Sequence, residues 1–96
     1  MKKFILLHYG YMEPSKEMMD IWNKWFESIK MHITEMGSPF GRGMEITKNG
    51  TKELPLDMDS VTGYSIIKAE NMEEAVNIAK SCPMITGIRV YEAMQM

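Results

Sequence analysis

The sequence contains a single cysteine, Cys82, and no long apolar segment. One thiol cannot form an internal disulfide, and this suits a reducing compartment, so we predict a cytoplasmic protein. The apolar run from Phe4 to Leu7 ends at His8, whereas a membrane span needs roughly 18–20 apolar residues and a signal peptide about 7–15. We therefore predict neither a membrane span nor a signal peptide.

Basic charge and metal ligands are also scarce. The 11 Lys and Arg residues are scattered among 13 Asp and Glu residues, and the net charge is −2. Because nucleic-acid binding needs a concentrated basic face, the composition argues against a nucleic-acid partner. The two histidines and one cysteine have no close spacing, so we predict no metal site and no other cofactor.

The apolar residues that are present follow strand and helix periods within the length of one domain, 1–96. Lys3 to Tyr9 predicts a strand that is apolar on both faces. Ser15 can cap a helix, and apolar residues then recur at spacings of three and four as far as Gly37, which predicts one helical stripe. This stripe contains Met18, Trp22, Trp25, Ile29, Ile33 and Met36.

The middle of the chain predicts a hairpin and then an irregular loop. Gly43 to Thr47 is typical of a short strand, Asn49-Gly50 of a tight turn, and Thr51 to Leu54 of the returning arm. Residues 55–62, PLDMDSVT, have no hydrophobic period. Loops of this kind commonly carry functional side chains.

The last third of the chain predicts a strand, a helix and a further strand. Gly63 to Ala69 is apolar on both faces, Asn71 and Glu74 form a capping-box pattern before an apolar stripe, and Pro83 follows its end. Gly87 to Ala93 is the final predicted strand. The order βαββαβ favours an α+β, ferredoxin-like fold with both helices on one face of the sheet.

Two helices cover only one face of such a sheet, although its strands are apolar on both. Burial of ~400 Å² of uncovered apolar area would contribute roughly 10 kcal/mol at about 25 cal/mol per Å². A monomer rarely leaves such a patch exposed. We therefore predict a homodimer in which two sheets pack face to face as a dimeric α+β barrel.

Three segments resemble the YCII-related domain family: GYSIIKAENMEEAVNIAKSCP at 63–83, IRVYEAMQM at 88–96 and GSPFGRGMEI at 37–46. The first two are similar to the family's Gly-Tyr strand, its acidic alanine-containing helix with a Cys-Pro stop, and a closing strand near Glu-x-Met. The third is similar to its Gly-x-Pro turn. The resemblance covers nearly the whole chain and implies the dimeric α+β barrel fold, in which related proteins carry out proton-transfer chemistry.

Two features of that family are missing from the sequence. Members related to its namesake carry a histidine on the first helix, proposed to act with an aspartate, where this sequence has WNKWFES at 22–28. The Asp-Gly-Pro-Phe signature of another branch is replaced by PLDMDS at 55–60. The resemblance therefore implies the fold but not that catalytic pair.

His8, Asp57 and Asp59 are the candidate catalytic residues. His8 closes the first strand on the face of Phe4 and Leu6, and it is either a general acid or base or a hydrogen-bonded strand end. Asp57 and Asp59 could supply a base or orient the histidine. The alternative is that they bond their own backbone within a turn.

Four further residues are candidates for ligand binding. Trp22 and Trp25 share a helical face, and they either fill the core or line a cleft between helix and sheet. Tyr64 could donate a hydrogen bond into this cleft and Arg42 could hold an anion, with packing or surface roles as the alternatives. The 12 methionines either fill gaps in the core or form an adaptable pocket. The predicted ligand is a small apolar or anionic metabolite.

Three functions remain open from the sequence. The first is an isomerase- or lyase-like enzyme that acts on a small molecule by proton transfer, with His8 as the proton carrier. The second is a dimer that binds a small ligand without transforming it, which the missing family histidine favours. The third is an accessory module that binds a regulatory partner.

Overall fold

The computed structural model describes residues 1–94 of the chain. The elements within this part, in chain order, are β1 (Lys2–Tyr9), α1 (Lys16–Ser28), β2 (Ile33–Glu35), β3 (Gly43–Thr47), β4 (Gly50–Leu54), β5 (Val61–Ala69), α2 (Met72–Lys80) and β6 (Gly87–Glu92). The last two residues of the predicted domain, which also end the segment IRVYEAMQM, lie outside the described residues.

The main sheet has the strand order β2-β5-β1-β6, and each of its neighbouring strands is antiparallel. Both helices pack on one face of it, because their buried residues belong to the same core as the strand residues on that face. This core consists of Phe4, Leu6, Trp25, Ile29, Ile67, Ala69, Ala75, Ala79 and Cys82. The predicted α+β, ferredoxin-like fold with two helices on one face is therefore confirmed.

The first helix is shorter than the apolar stripe predicted. It ends at Ser28, and Ile33–Glu35 forms an edge strand that pairs with β5, Ile33 opposite Ile67. Ser28 Oγ donates to the Trp25 carbonyl at 2.6 Å and thereby satisfies a carbonyl near the end of the helix. The β-branched residues that follow suit a strand better than a helix. Met36, predicted as core, is 52% exposed.

The predicted hairpin is present as β3 and β4, joined at the predicted turn, with Thr47 opposite Gly50. It forms a separate two-stranded sheet, so the second strand of the βαββαβ order in the main sheet is β2 and not an arm of the hairpin. Of its strand residues, all except the half-buried Gly43 are exposed. The hairpin is therefore an arm that extends from the core.

The second helix begins as predicted. Asn71 Oδ1 accepts from the Glu74 backbone N–H at 2.9 Å, and Glu74 Oε1 accepts from the Glu70 N–H at 3.1 Å. Met72, at the start of this helix, is 41% exposed. Cys82 is buried just after the helix, and desolvation by burial raises the pKa of its thiol to about 11, so the thiol is a poor nucleophile.

Gly37 makes the turn that leads out of β2. Its φ is +74°, and a Cβ there would lie 1.8 Å from the Tyr64 carbonyl oxygen, so a side chain would collide with backbone. We expect Gly37→Ala to lower the free energy of unfolding by about 2 kcal/mol or more, since the left-handed conformation alone costs an alanine about 1–2 kcal/mol. Urea denaturation measures this change.

Gly41→Ala is the matched control for Gly37→Ala. Gly41 has no atom within 4 Å of the added Cβ, and its φ is not in the left-handed region. The control should retain the wild-type stability. Equal stabilities of the two variants would contradict the close packing of Gly37 against Tyr64.

Candidate active site

A cavity of about 570 Å³ lies between the N-terminal half of α1 and the main sheet. Its walls come from the end of β1 and the residues after it, from α1, from residues 36–40 and from Thr62 to Ser65 of β5. Ser15 positions α1 over the cavity, because its hydroxyl accepts from the Met18 N–H at 3.1 Å and so caps the helix.

His8 forms part of the cavity wall and is only 8% exposed. It lies at the end of β1 on the same face as Phe4 and Leu6, as the strand alternation predicted. Its Nε2 lies 3.0 Å from Ser65 Oγ, whereas its Nδ1 is buried and has no hydrogen-bond partner among residues 1–94. A buried polar atom without a partner is costly, so this nitrogen is a candidate contact for a ligand.

Burial lowers the pKa of His8 to about 4. The imidazole is therefore neutral at neutral pH, with one nitrogen protonated and the other free to accept. Since Ser65 Oγ can donate to Nε2 or accept from it, Nδ1 can serve as the acceptor or as the donor for a bound molecule. The chemistry that this allows is exchange of one proton at Nδ1.

The two tryptophans have different positions. Trp22 is half-buried and lines the cavity, with its ring edge-to-face against the His8 imidazole at a centroid distance of 5.1 Å. Trp25 is 5% exposed and belongs to the core, where its Nε1 donates to Ser81 Oγ at 2.9 Å. The cleft-lining interpretation therefore fits Trp22, and the core interpretation fits Trp25.

Tyr64 lines one end of the cavity, but its hydroxyl is already engaged. It donates to Glu35 Oε1 at 2.9 Å, and this hydrogen bond raises the pKa of the Tyr64 phenol. The Tyr64 ring stacks on Phe40 with centroids 5.7 Å apart. Tyr64 precedes the inward-facing Ser65 in β5, so its side chain leaves the sheet on the opposite face. The Tyr64 ring therefore does not face His8, and its hydroxyl is not available to a ligand beside His8.

The two loop aspartates lie away from His8. Asp57 is exposed, and its Oδ1 accepts from the Asp59 N–H at 2.9 Å and from the Ser60 hydroxyl at 3.0 Å. This is the turn geometry that we gave as the alternative. Asp59 lines a separate depression with Tyr9 and Arg89. The structure therefore does not form the histidine–aspartate arrangement that the sequence suggested.

Arg42 lies at the base of the hairpin arm and outside the cavity wall. Its side chain is 77% exposed, and its Nε contacts Glu53 Oε1 at 2.5 Å. No Asp, Glu, Lys or Arg side chain of the described part of the chain lines the cavity. An anion in the cavity would therefore have no cationic partner in Arg42.

Several cavity residues were not predicted from the sequence. Ser65 faces inward between Gly63 and Ile67 in β5, and this polar residue on an otherwise apolar strand face was a signal that could have identified it. Asn23 and Phe26 on α1 gave no comparable signal. The methionines of the cavity wall are Met12, Met18, Met19 and Met36. They match the adaptable pocket that we considered for the methionines.

Within residues 1–94, no three His, Cys, Asp or Glu side chains lie close enough together to hold a metal ion. The helices α1 and α2 are both too short to cross a membrane, and the described residues contain no other helix.

The comparisons with known proteins identify a shared fold. No family model matches the chain, and no curated protein sequence matches it. The solved structure of 5-chloro-2-hydroxyhydroquinone dehydrochlorinase (TftG) from Burkholderia phenoliruptrix AC1100, in complex with 2,5-dihydroxybenzoquinone, is similar with a TM-score of 0.59 and 16% sequence identity. The alignment covers 98% of this chain and 95% of the dehydrochlorinase. The chain thus shares the overall fold of this dehydrochlorinase.

Proposed function

We propose that this protein is a small-molecule enzyme of the lyase or isomerase type, in which His8 transfers a proton. The observation that carries the proposal is the unpaired Nδ1 of His8, a neutral and buried imidazole in the wall of an apolar cavity. Histidine is the side chain that most often transfers protons as a general acid or base, and the neutral form has a nitrogen free to accept one. The fold shared with a dehydrochlorinase supports the same class of chemistry.

The proposed step begins with neutral His8 and a bound molecule that has an acidic C–H or O–H bond. Nδ1 takes the proton, and the electron pair of that bond forms a new double bond in the molecule. In a lyase a leaving group departs with its own electron pair, and in an isomerase the double bond shifts and the proton returns to a different atom. Because burial disfavours the imidazolium, His8 must release the proton quickly, either to the leaving group or to the product.

A non-catalytic binding protein is the second candidate. The cavity wall, as far as residues 1–94 define it, contains no carboxylate that could orient His8 or stabilise its protonated form. His8 would then serve only as a hydrogen-bond partner for a ligand. An enzyme and a binding protein of this kind differ in turnover and not in affinity.

The substrate named for the dehydrochlorinase, 5-chloro-2-hydroxyhydroquinone, is the first probe of turnover. Release of chloride should be measurable with the wild-type protein, and His8→Gln should slow it about 100-fold, the lower part of the range for general acid–base catalysis. Glutamine can still reach Ser65 from the Nε2 position, but it has no nitrogen at the position of Nδ1.

His32→Gln is the control for this assay. His32 lies outside the cavity wall, and its Nδ1 is 3.2 Å from the Lys68 carbonyl oxygen. This variant should release chloride at the wild-type rate. A wild-type rate in His8→Gln would reject the proton-transfer role. Binding of the probe without chloride release would favour the binding protein.

We also propose that the protein is a homodimer. The open face, defined as the side of the main sheet opposite both helices, carries Ile5 opposite Ile66 and Leu7 opposite Tyr64. Tyr91 lies opposite Ile5 on the same face and is 50% exposed. Apolar and aromatic side chains of this kind form the buried centres of protein interfaces.

The size of the exposed surface supports the dimer. The chain exposes 7081 Å², whereas about 5,700 Å² is expected of a monomeric protein of its mass. The excess, roughly 1,400 Å², is larger than the ~800 Å² that each partner buries in a standard interface. The molecule is also a slab only 18 Å thick, with a radius of gyration of 14.3 Å, where about 12.5 Å is expected for a domain of this length.

We further propose that the chain is a member of the YCII-related family. This proposal rests on the Gly-Tyr strand, the acidic helix and the Cys-Pro stop at 63–83, which the structure describes as β5, α2 and the turn after it. A single domain over 1–96 and a cytoplasmic location stay predictions from the sequence.

A further inference from the structure

The cavity wall carries no formal charge. None of its side chains within the described residues is an Asp, Glu, Lys or Arg, and burial keeps its one histidine neutral at neutral pH. A charged ligand would therefore lose its hydration without gaining a partner of opposite charge. The wall discriminates against ions of either sign.

Aromatic rings and thioethers form a large part of the wall within the described residues. Trp22 and Phe26 lie next to each other on α1, with ring centroids 6.0 Å apart, and both line the cavity. Met18 and Met19 add polarisable sulfur atoms, which pack favourably against aromatic rings. These side chains favour a flat aromatic ligand, since offset and edge-to-face arrangements of rings stabilise such contacts.

One hydrogen bond is missing within this apolar wall. His8 is buried, its Nε2 is paired with Ser65, and its Nδ1 has no partner among the described residues. The half-buried Trp22 ring lies edge-to-face against the imidazole, and because Nδ1 is buried, a ligand reaches it only by displacing a neighbouring side chain. A single hydroxyl group on the ligand would satisfy this nitrogen, whichever tautomer His8 adopts.

We propose that the cavity binds an uncharged aromatic alcohol, with its hydroxyl on His8 Nδ1 and its ring against Trp22. This inference names a ligand class for the site of the proposed function and rests on it only in using the same cavity and the same histidine. The sequence also allowed an anionic ligand held by Arg42. We now propose an uncharged ligand instead, because Arg42 pairs with Glu53 outside the cavity wall.

Three probes of one ring size test the proposal: 2-naphthol, naphthalene and 2-naphthoate. Isothermal titration calorimetry at neutral pH should show that 2-naphthol binds at least about tenfold more tightly than the anionic 2-naphthoate, which must bury an unpaired charge. It should bind about fivefold more tightly than naphthalene, which lacks the hydroxyl. In His8→Gln the affinities for 2-naphthol and naphthalene should become equal.

A lysine added at the cavity wall should weaken the preference for neutral ligands. Met19 lines the cavity and is 58% exposed, so Met19→Lys can be accommodated without loss of the core. We expect the ratio of 2-naphthoate affinity to 2-naphthol affinity to be about tenfold higher in this variant than in wild type, because the lysine supplies a cationic partner. Met31→Lys is the control, because Met31 is 81% exposed and lies outside the cavity wall.

Three results would overturn the proposal: equal wild-type affinity for 2-naphthoate and 2-naphthol, no binding of any of the three probes, or an equal gain in Met31→Lys. A different result would overturn the proposed function: chloride release at the same rate in wild type and in His8→Gln. A protein that prefers 2-naphthol but shows no dependence of turnover on His8 would keep the ligand class and lose the catalytic role.

Discussion

Ile66→Glu should convert the protein from a dimer to a folded monomer. Ile66 lies in the middle of β5 on the open face, and in the proposed dimer each copy would bury its glutamate against the partner's sheet. Since an uncompensated buried charge costs about 3–5 kcal/mol and the dimer would bury two of them, we expect the dimer dissociation constant to rise at least about ten-thousandfold. Sedimentation velocity over a range of micromolar concentrations measures this change.

Met31→Glu separates the effect of position from that of an added charge. Met31 follows α1, is 81% exposed and is not on the open face, so this variant should remain dimeric. Circular dichroism should show the same helix content in both variants. A wild-type protein that is monomeric at high concentration, or an Ile66→Glu protein that remains dimeric, would exclude sheet-to-sheet pairing.

The strands and helix starts could be predicted because their signals are local. Asn49-Gly50 specifies a tight turn, and Asn71 with Glu74 specifies a helix start. Neither signal depends on contacts with distant parts of the chain. The end of α1 could not be predicted in this way. Ile33 continues the helical spacing, but its place in β2 depends on pairing with Ile67, which lies far along the chain. Strand pairing with a distant segment therefore determined the conformation of this segment, and the helical spacing of its apolar residues did not.

The candidate site was predictable only where strand alternation decides the direction of a side chain. His8 shares a face with Phe4 and Leu6, and the structure places it inward beside them. Asp57 and Asp59 lie in an irregular loop, whose path no period determines, and they bond locally. A sequence can therefore indicate which strand residues face a cavity more reliably than which loop residues reach it.

The position of His8 also leads to a prediction for stability. We expect the free energy of unfolding to fall by about 3 kcal/mol between pH 6.5 and about pH 4, from the difference between the unfolded and folded pKa values of this residue. The pKa of His8 is lowered by burial, so the unfolded chain binds a proton in this range and the folded chain does not. The contribution of neutral His8 to the free energy of unfolding is therefore fully present above about pH 6.5, and it is lost as the pH falls towards the pKa that His8 has in the folded protein.

Urea denaturation at a series of pH values, with wild type and His8→Gln compared, measures this contribution. His8→Gln should remove the loss between pH 6.5 and about 4, since glutamine does not titrate, while His32→Gln should retain it. No charged side chain within the described residues lines the cavity, and the nearest rings, Trp22 and Trp25, are neutral, so an imidazolium would gain no partner there. An unchanged slope in His8→Gln would mean that carboxylates elsewhere cause the acid sensitivity. It would also mean that His8 is accessible enough to ionise in the folded protein, and the neutral, unpaired Nδ1 on which the proposed chemistry depends would be lost with it.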